Sequence, residues 1–356
     1  MTRVSLSTAF ASDNSAPAHP SIIQALLDAN SDSAMSYGED AITPRAAEAI
    51  KQTFDSPDAE VLFALTGTGA NVIALTAATR PWHTILCSDI AHSLVDEAGG
   101  PVRLSGAMLT ALPSDDGLID PAQLAAAAAR RGSVHHSQPS IVTITQSTEN
   151  GRLWTAAAIK AFVDEAHDLD LLVHVDGSRI ANAVAALNVS PIEAIGDADI
   201  VTVGGTKNGL LYGDAILVRR PEHFDGIRFV QKQIGHLPSK HRYVSAQFET
   251  LFTDDLWLRM GLLANTMAAR LSSGFTDRGL TLASSCEANE VFVVLEGDVH
   301  AAITERYAVH TPDELAPIYR FVCSWATTED DVDEVLRLLD GNISLSPGPA
   351  AASEWP

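Results

Sequence analysis

Short β-branched and apolar runs alternate with stretches of helical periodicity from about Val61 to Val218. This alternation predicts an α/β fold in which a mainly parallel sheet is covered by helices. The strand candidates are Val61–Ala64, Thr84–Ser88, Ile141–Thr145, Leu171–Val175, Ile200–Val203 and Asp214–Arg219. Between them, Thr155–Asp168 repeats apolar residues at helical spacing (Ala158, Phe162, Val163, Ala166), and the alanine-rich segment Leu124–Ala129 also reads as helix.

The pattern changes near residue 254. Asp254–Thr276 predicts one long helix, followed by two or three strands and the acidic helix Glu329–Leu339, which Thr327 or Thr328 would cap. The expected organisation is an N-terminal arm (1–14), a large ligand-binding domain (15–254), a smaller α+β C-terminal domain (255–343) and a Pro-, Ala-, Ser- and Gly-rich tail (344–356).

Composition narrows the function. Of 356 residues, 46% are hydrophobic and 19% charged, the balance of a packed globular chain. A formal charge of −22 disfavours nucleic acid and anionic membrane surfaces as partners. Cys87, Cys286 and Cys323 have no CxxC spacing and are odd in number, which fits free thiols in a reducing cytoplasm. No apolar run approaches the ~20 residues of a membrane helix, and Thr2–Ala11 is too polar for a secretory leader. No metal site is expected; the doublet His135-His136 lacks further ligands at a suitable spacing.

Three segments carry candidate chemistry. In Ile200-Val-Thr-Val-Gly-Gly-Thr-Lys-Asn-Gly, Lys207 follows a buried strand and is flanked by glycines that permit close approach of a ligand. Partial burial there would favour a neutral, nucleophilic amine; the plainer alternative is a surface lysine. In Leu171-Leu-Val-His-Val-Asp-Gly-Ser-Arg, Asp176 ends a strand, where open α/β sheets bind ligands. It would either pair with a protonated ring nitrogen or cap a helix. In Leu65-Thr-Gly-Thr-Gly-Ala-Asn, the turn Gly67, Thr68 and Gly69 opens a helix and could hold a phosphate on backbone N–H groups. It has neither a complete dinucleotide fingerprint nor a P-loop lysine.

Phosphate turn, aspartate and lysine in this order resemble the fold-type I pyridoxal-phosphate enzymes, and the wording resembles the threonine aldolases. The most specific pieces are Ser12-Asp13-Asn14, Ser36-Tyr37-Gly38-Glu39-Asp40, Ala91-His92 with Glu97-Ala-Gly-Gly, His174-Val-Asp-Gly-Ser-Arg and Gly205-Thr-Lys-Asn-Gly. The resemblance runs from Ser12 to about Leu339.

It implies pyridoxal phosphate held by Lys207 as a Schiff base, with Asp176 on the ring nitrogen and His92 stacked on the ring. It further implies cleavage of threonine and related β-hydroxy-α-amino acids to glycine and an aldehyde. Arg179 would contact the cofactor's phenolic oxygen and, with Ser12 and Arg320, the substrate carboxylate, which a guanidinium can bind with two prongs. Either His92, oriented by Asp96, or His136 would take the β-hydroxyl proton.

Tyr37 would line the substrate pocket. Lys232 would reach the cofactor from a neighbouring subunit, in a homodimer or homotetramer with shared sites. One departure stands out: Gln146-Ser-Thr-Glu-Asn-Gly replaces the Glu-Asn-Thr-His-Asn-Gly run of many threonine aldolases. A β-eliminating lyase, an amino-acid racemase and a non-catalytic relative on the same fold remain alternatives.

Overall fold

The computed structural model describes residues 6–311 and 316–341; the expected tail lies outside the described residues. In chain order the strands are β1 (Glu60–Ala64), β2 (His83–Ser88), β3 (Met108–Leu112), β4 (Ser114–Asp115), β5 (Leu118–Ile119), β6 (Gln138–Thr145), β7 (Leu172–Gly177), β8 (Ile200–Val203), β9 (Asp214–Val218), β10 (Glu290–Val294) and β11 (Ile318–Val322).

Seven of them form one sheet in the order β1, β9, β8, β7, β6, β2, β3. β9 is antiparallel to both neighbours, and the pairs from β8 out to β3 are parallel. Both faces are buried: Val142, Ile144, Val201, Val203 and Leu217 enter one core, whereas Ile141, Ile200, Ile216 and Val218 enter another. Alternation therefore disappears into continuous apolar runs, which is why these strands were readable. β3 was not, because it is an edge strand with Met108 exposed and little β-branched character.

The helix Ala156–Asp168 begins where Thr155 accepts a hydrogen bond from Ala158 N–H. The helix Leu256–Asp277 joins two cores, giving Trp257 and Met260 to the sheet and Leu271 and Phe275 to a third cluster. That cluster holds Val291 and Val293 of the β10–β11 hairpin together with Val332, Val335 and Leu339 of the helix Glu329–Asp340. Thr328 caps this last helix in a reciprocal capping box with Asp331.

The N-terminal arm is anchored in the third cluster as well. Phe10 is fully buried, 5.9 Å from the Phe321 ring and 5.8 Å from the Tyr307 ring, and its carbonyl accepts from Val322 N–H. The arm is thereby directed so that Asp13 reaches Arg179, two residues after β7.

Candidate active site

Parallel strands end along one edge of the sheet, and the candidate motifs follow those ends. Thr66 and Gly67 follow β1, His92 follows β2, Glu149 follows β6, Asp176 lies within the end of β7, and Lys207 follows β8. Because β9 runs the other way, its first residue, Asp214, lies at the same edge. A cavity of about 300 Å³ opens there, lined among others by Gly67, Thr68, Asn71, His92, Lys207 and Asp214.

The phosphate turn is the N-terminus of the helix Gly67–Ala77. Thr66 caps it by accepting from Gly69 N–H at 3.0 Å, and the earlier N–H groups of the turn have no acceptor within the helix. Glycine is required sterically rather than by unusual backbone angles. A Cβ on Gly67 would lie 2.7 Å from Asp214 Oδ2, and one on Gly69 would lie 2.0 Å from the His236 ring. His236 is held by Leu65 N–H, which donates to its Nδ1 at 3.1 Å.

Asp176 is buried and held on three sides. Its Oδ1 accepts from Ser178 N–H (3.0 Å) and Ser178 Oγ–H (2.7 Å), and its Oδ2 accepts from Asn71 Nδ2 (2.7 Å). Burial alone would raise its pKa; the electrostatic influence of His174 and Lys207 and the Ser178 and Asn71 hydrogen bonds outweigh burial and keep the carboxyl below the usual range. An ionised aspartate here suits a protonated ring nitrogen.

Behind it lies a network with its protons assigned by elimination. Thr202 Oγ1 donates to Asn71 Oδ1 (2.9 Å), so it accepts from His174 Nε2 (3.0 Å), and His174 Nδ1 accepts from Thr143 (2.8 Å). His174 is thus a neutral spacer, and burial pushes its pKa down to about 4.

His92 Nδ1 lies 3.0 Å from Glu97 Oε1, and Asn71 donates to that same oxygen at 3.0 Å. That oxygen already accepts from Asn71, so His92 Nδ1 is its second donor, and in the neutral ring Nε2 is left as the acceptor. The hydrogen bond to Glu97 raises the His92 pKa against the opposing effect of burial. This corrects the expectation for Asp96, which is exposed and follows the last residue of the one-turn helix His92–Val95. The Asp96 backbone N–H closes the turn on the His92 carbonyl at 2.9 Å, but its side chain is exposed and makes no hydrogen bond to the His92 ring among the described residues. Ala98 then takes a left-handed conformation (φ 49°), and Glu97 is the residue turned inward.

His136 also requires correction. It is exposed and precedes β6, whereas the pocket lies beyond the other end of that eight-residue strand, roughly 26 Å away at 3.3 Å per residue. The substituted run after β6 supplies Glu149 instead. Its Oε1 accepts from His92 N–H (2.8 Å) and Thr145 Oγ–H (2.8 Å), and burial raises its pKa. Gln146 turns away into the fold, exchanging hydrogen bonds with the Trp154 backbone.

Arg179 and Arg320 approach the same buried patch. Arg179 Nε and Nη2 donate to Asp13 at 2.7 and 3.1 Å, and Glu290 Oε1 lies 3.5 Å from both Arg179 Nη2 and Arg320 Nη1. Ser12 joins the patch through Asp13: its Oγ donates to Asp13 Oδ1 at 3.4 Å and accepts from Asn14 N–H, and it lines another cavity with Ser324 and Thr327. Tyr37 and Lys232 lie outside the Lys207 pocket, side by side on the surface, with the Lys232 Nζ 4.0 Å from the Tyr37 ring centre.

Asn71, Glu97 and Asp13 stand inside motifs recognised in the sequence and were overlooked because the neighbouring residue drew the assignment. Asp214, which accepts from Gly205 N–H (2.6 Å) and Thr206 N–H (3.2 Å) and so braces the Lys207 turn, had only its place at a strand start as a signal. Glu290 had none.

The described residues fit pyridoxal phosphate: a lysine and a glycine-bearing helix N-terminus line one cavity, and the ionised Asp176 is bonded to Asn71 and Ser178 in its wall. They contain no group of three or more His, Cys, Asp or Glu placed to hold a metal.

Comparison with known proteins agrees. The beta-eliminating lyase family model matches residues 9–298. The low specificity L-threonine aldolase of Pseudomonas aeruginosa is 36% identical over 92% of this chain and 96% of its own, and that of a Pseudomonas sp. is 37% identical over 92% and 95%. The structure of Leishmania major threonine aldolase superposes with a TM-score of 0.90 at 28% identity, covering 94% of this chain and 99% of that one. With lysine, aspartate and phosphate turn at one sheet edge and this likeness along nearly its whole length, the chain belongs to the threonine aldolases of the beta-eliminating lyase family.

Proposed function

We propose that this chain is a pyridoxal-phosphate-dependent, low-specificity L-threonine aldolase that cleaves the Cα–Cβ bond of L-threonine, L-allo-threonine and related β-hydroxy-α-amino acids. The observation that carries it is one cavity lined by Lys207, Gly67, Thr68 and His92, with Asp176 bonded to Asn71 and Ser178 in its wall. Lys207 holds the cofactor, Asp176 its ring nitrogen, and Gly67, Thr68 and Gly69 its phosphate. When bound, pyridoxal phosphate supplies an electron sink for the pair released as Cα–Cβ breaks.

The protein's own groups do the rest. Arg179 and Arg320 hold the substrate carboxylate and so fix which bond at Cα is aligned for cleavage. Nε2 of His92 takes the β-hydroxyl proton, directly or through water, while Glu97 holds the ring from the other side and stabilises the charge it gains. Glu149 anchors the His92 backbone. A second copy of the chain would bring Tyr37 and Lys232 to this site in a homo-oligomer. The arm, the large domain to residue 254 and the C-terminal domain to residue 343 would be the units of each subunit. Three free cysteines among the described residues support a cytoplasmic setting, and no described helix is long and apolar enough to cross a membrane.

The test is a product assay. Purified yellow protein with L-threonine, L-allo-threonine, their D-forms and phenylserine should release glycine and the matching aldehyde from the L-forms. Ammonia and a keto acid as the main products would instead favour an eliminating lyase. Lys207→Ala should abolish turnover and the borohydride-reducible chromophore. Asp176→Asn should lower kcat on the order of a hundredfold.

A further inference from the structure

Glu290 occupies an unusual position in the carboxylate clamp. It is fully buried, lies on β10 within reach of both Arg179 and Arg320, and neither of its oxygens makes a hydrogen bond among the described residues. At 3.5 Å it is within ion-pair range of both guanidinium groups but bonded to neither. Arg320 Nε and Asn289 Oδ1, both buried, also lack partners. Three of these four atoms are acceptors and one is a donor, so the patch is short of a proton, and a proton on Glu290 would let it donate to an incoming carboxylate that Arg320 Nε could also bind.

The charges limit what that group can be. Asp13 and Arg179 are joined by two short hydrogen bonds, and Asp13 also accepts from Asn289 at 3.2 Å. With Glu290 ionised, Asp13 and Glu290 balance Arg179 and Arg320, and an incoming carboxylate would add an uncompensated negative charge to a largely buried cluster. Such a charge is costly. With Glu290 neutral, the cluster carries one positive charge and matches one carboxylate.

We propose that the substrate carboxylate enters between Arg179 and Arg320 with uptake of one proton by Glu290, which is ionised in the free site and neutral in the filled one. This rests on the assignment of Arg179 and Arg320 as the clamp. The proton comes from solvent, adds to a Glu290 oxygen and returns when the amino acid leaves; no other bond changes.

The groups facing Glu290 are Asp13 from the arm, Arg179 after β7, Lys207 after β8, Arg320 on β11 and Cys286 before β10. The two acids are driven apart. Burial raises Glu290, and Arg179 and Arg320 only partly offset it; for Asp13, Arg179, Lys207 and the Asn289 hydrogen bond together outweigh burial and hold the carboxyl below its usual range. The Cys286 thiol, pushed up to about 11 by burial and the Glu290 charge, stays neutral.

The experiment is a proton inventory. Glycine is titrated calorimetrically into holoenzyme between about pH 6 and 9, in buffers of differing ionisation enthalpy, for the native protein and Glu290→Gln. Protons released by the glycine amino group appear in both. The native protein should take up close to one more proton than the variant somewhere in this range. Over the same interval the native-to-variant ratio of threonine KM should rise with pH, approaching tenfold per unit. Equal inventories with a flat KM ratio would overturn the proposal. Arg320→Ala separates the two layers: if it raises KM while the inventories are equal, the clamp stands and Glu290 is only structural. If it leaves KM unchanged, the clamp assignment falls and takes the proposal with it.

Discussion

Asn71 Nδ2 lies 2.7 Å from Asp176 Oδ2, joining the helix that begins at the phosphate turn to the strand that carries the aspartate. The same amide reaches Glu97 and accepts from Thr202, so one side chain sets the spacing between the three parts of the cofactor site. Asn71→Ala would leave Asp176, Glu97 and Thr202 each short of a partner. Loss of roughly 1–3 kcal/mol of stability is expected, read by urea denaturation, together with weaker retention of pyridoxal phosphate on dialysis.

Glu97 and His92 give a signed pH effect. The folded His92 pKa is raised, chiefly by its hydrogen bond to Glu97. The pair therefore adds stability at pH below the ordinary histidine value of about 6.5, and that contribution is lost as pH rises through the higher folded value. Glu97→Gln should lower the His92 titration midpoint in an NMR titration. Its stability deficit should be larger at pH 6 than at pH 9; a deficit independent of pH would contradict the pairing.

Gly69 and His236 compete for the same space. Gly69→Ala places a methyl group 2.0 Å from the His236 ring as it now lies, at a cost of about 1–3 kcal/mol and with weaker cofactor binding. His236→Ala in the same molecule should recover part of that loss, a non-additivity measured by a double-mutant cycle. Additive losses would show that the crowding is relieved elsewhere.

His136→Ala is expected to be silent. The residue is exposed at the far end of β6, and such substitutions alter stability by no more than about 0.5 kcal/mol. Threonine cleavage should stay within about twofold of native, whereas His92→Ala should lose most of it. A large loss from His136→Ala would contradict the geometry.

The buried strands and the loops that follow them were legible from the chain. Continuous apolar runs such as Ile200–Val203 mark strands covered on both faces, and loops after parallel strands share one edge whatever the details of packing. Lys207, Asp176 and the Gly67–Gly69 turn could therefore be grouped before any coordinates were known. The helix caps at Thr155 and Thr328 were equally local, since each uses groups three residues apart.

What only the tertiary structure decided is which partner each of these residues meets. His92 faces Glu97 rather than Asp96 because Glu97 is the residue turned inward, and His136 is excluded because it stands at the wrong end of its strand. The patch uniting Asp13, Arg179, Glu290 and Arg320 draws on the arm, the loop after β7 and both strands of the C-terminal hairpin. Hydrophobic periodicity is a property of neighbours in sequence and predicts elements. Charge pairing and proton placement depend on distances across the folded chain, and the burial of Phe10 beside Phe321 helps to set those distances.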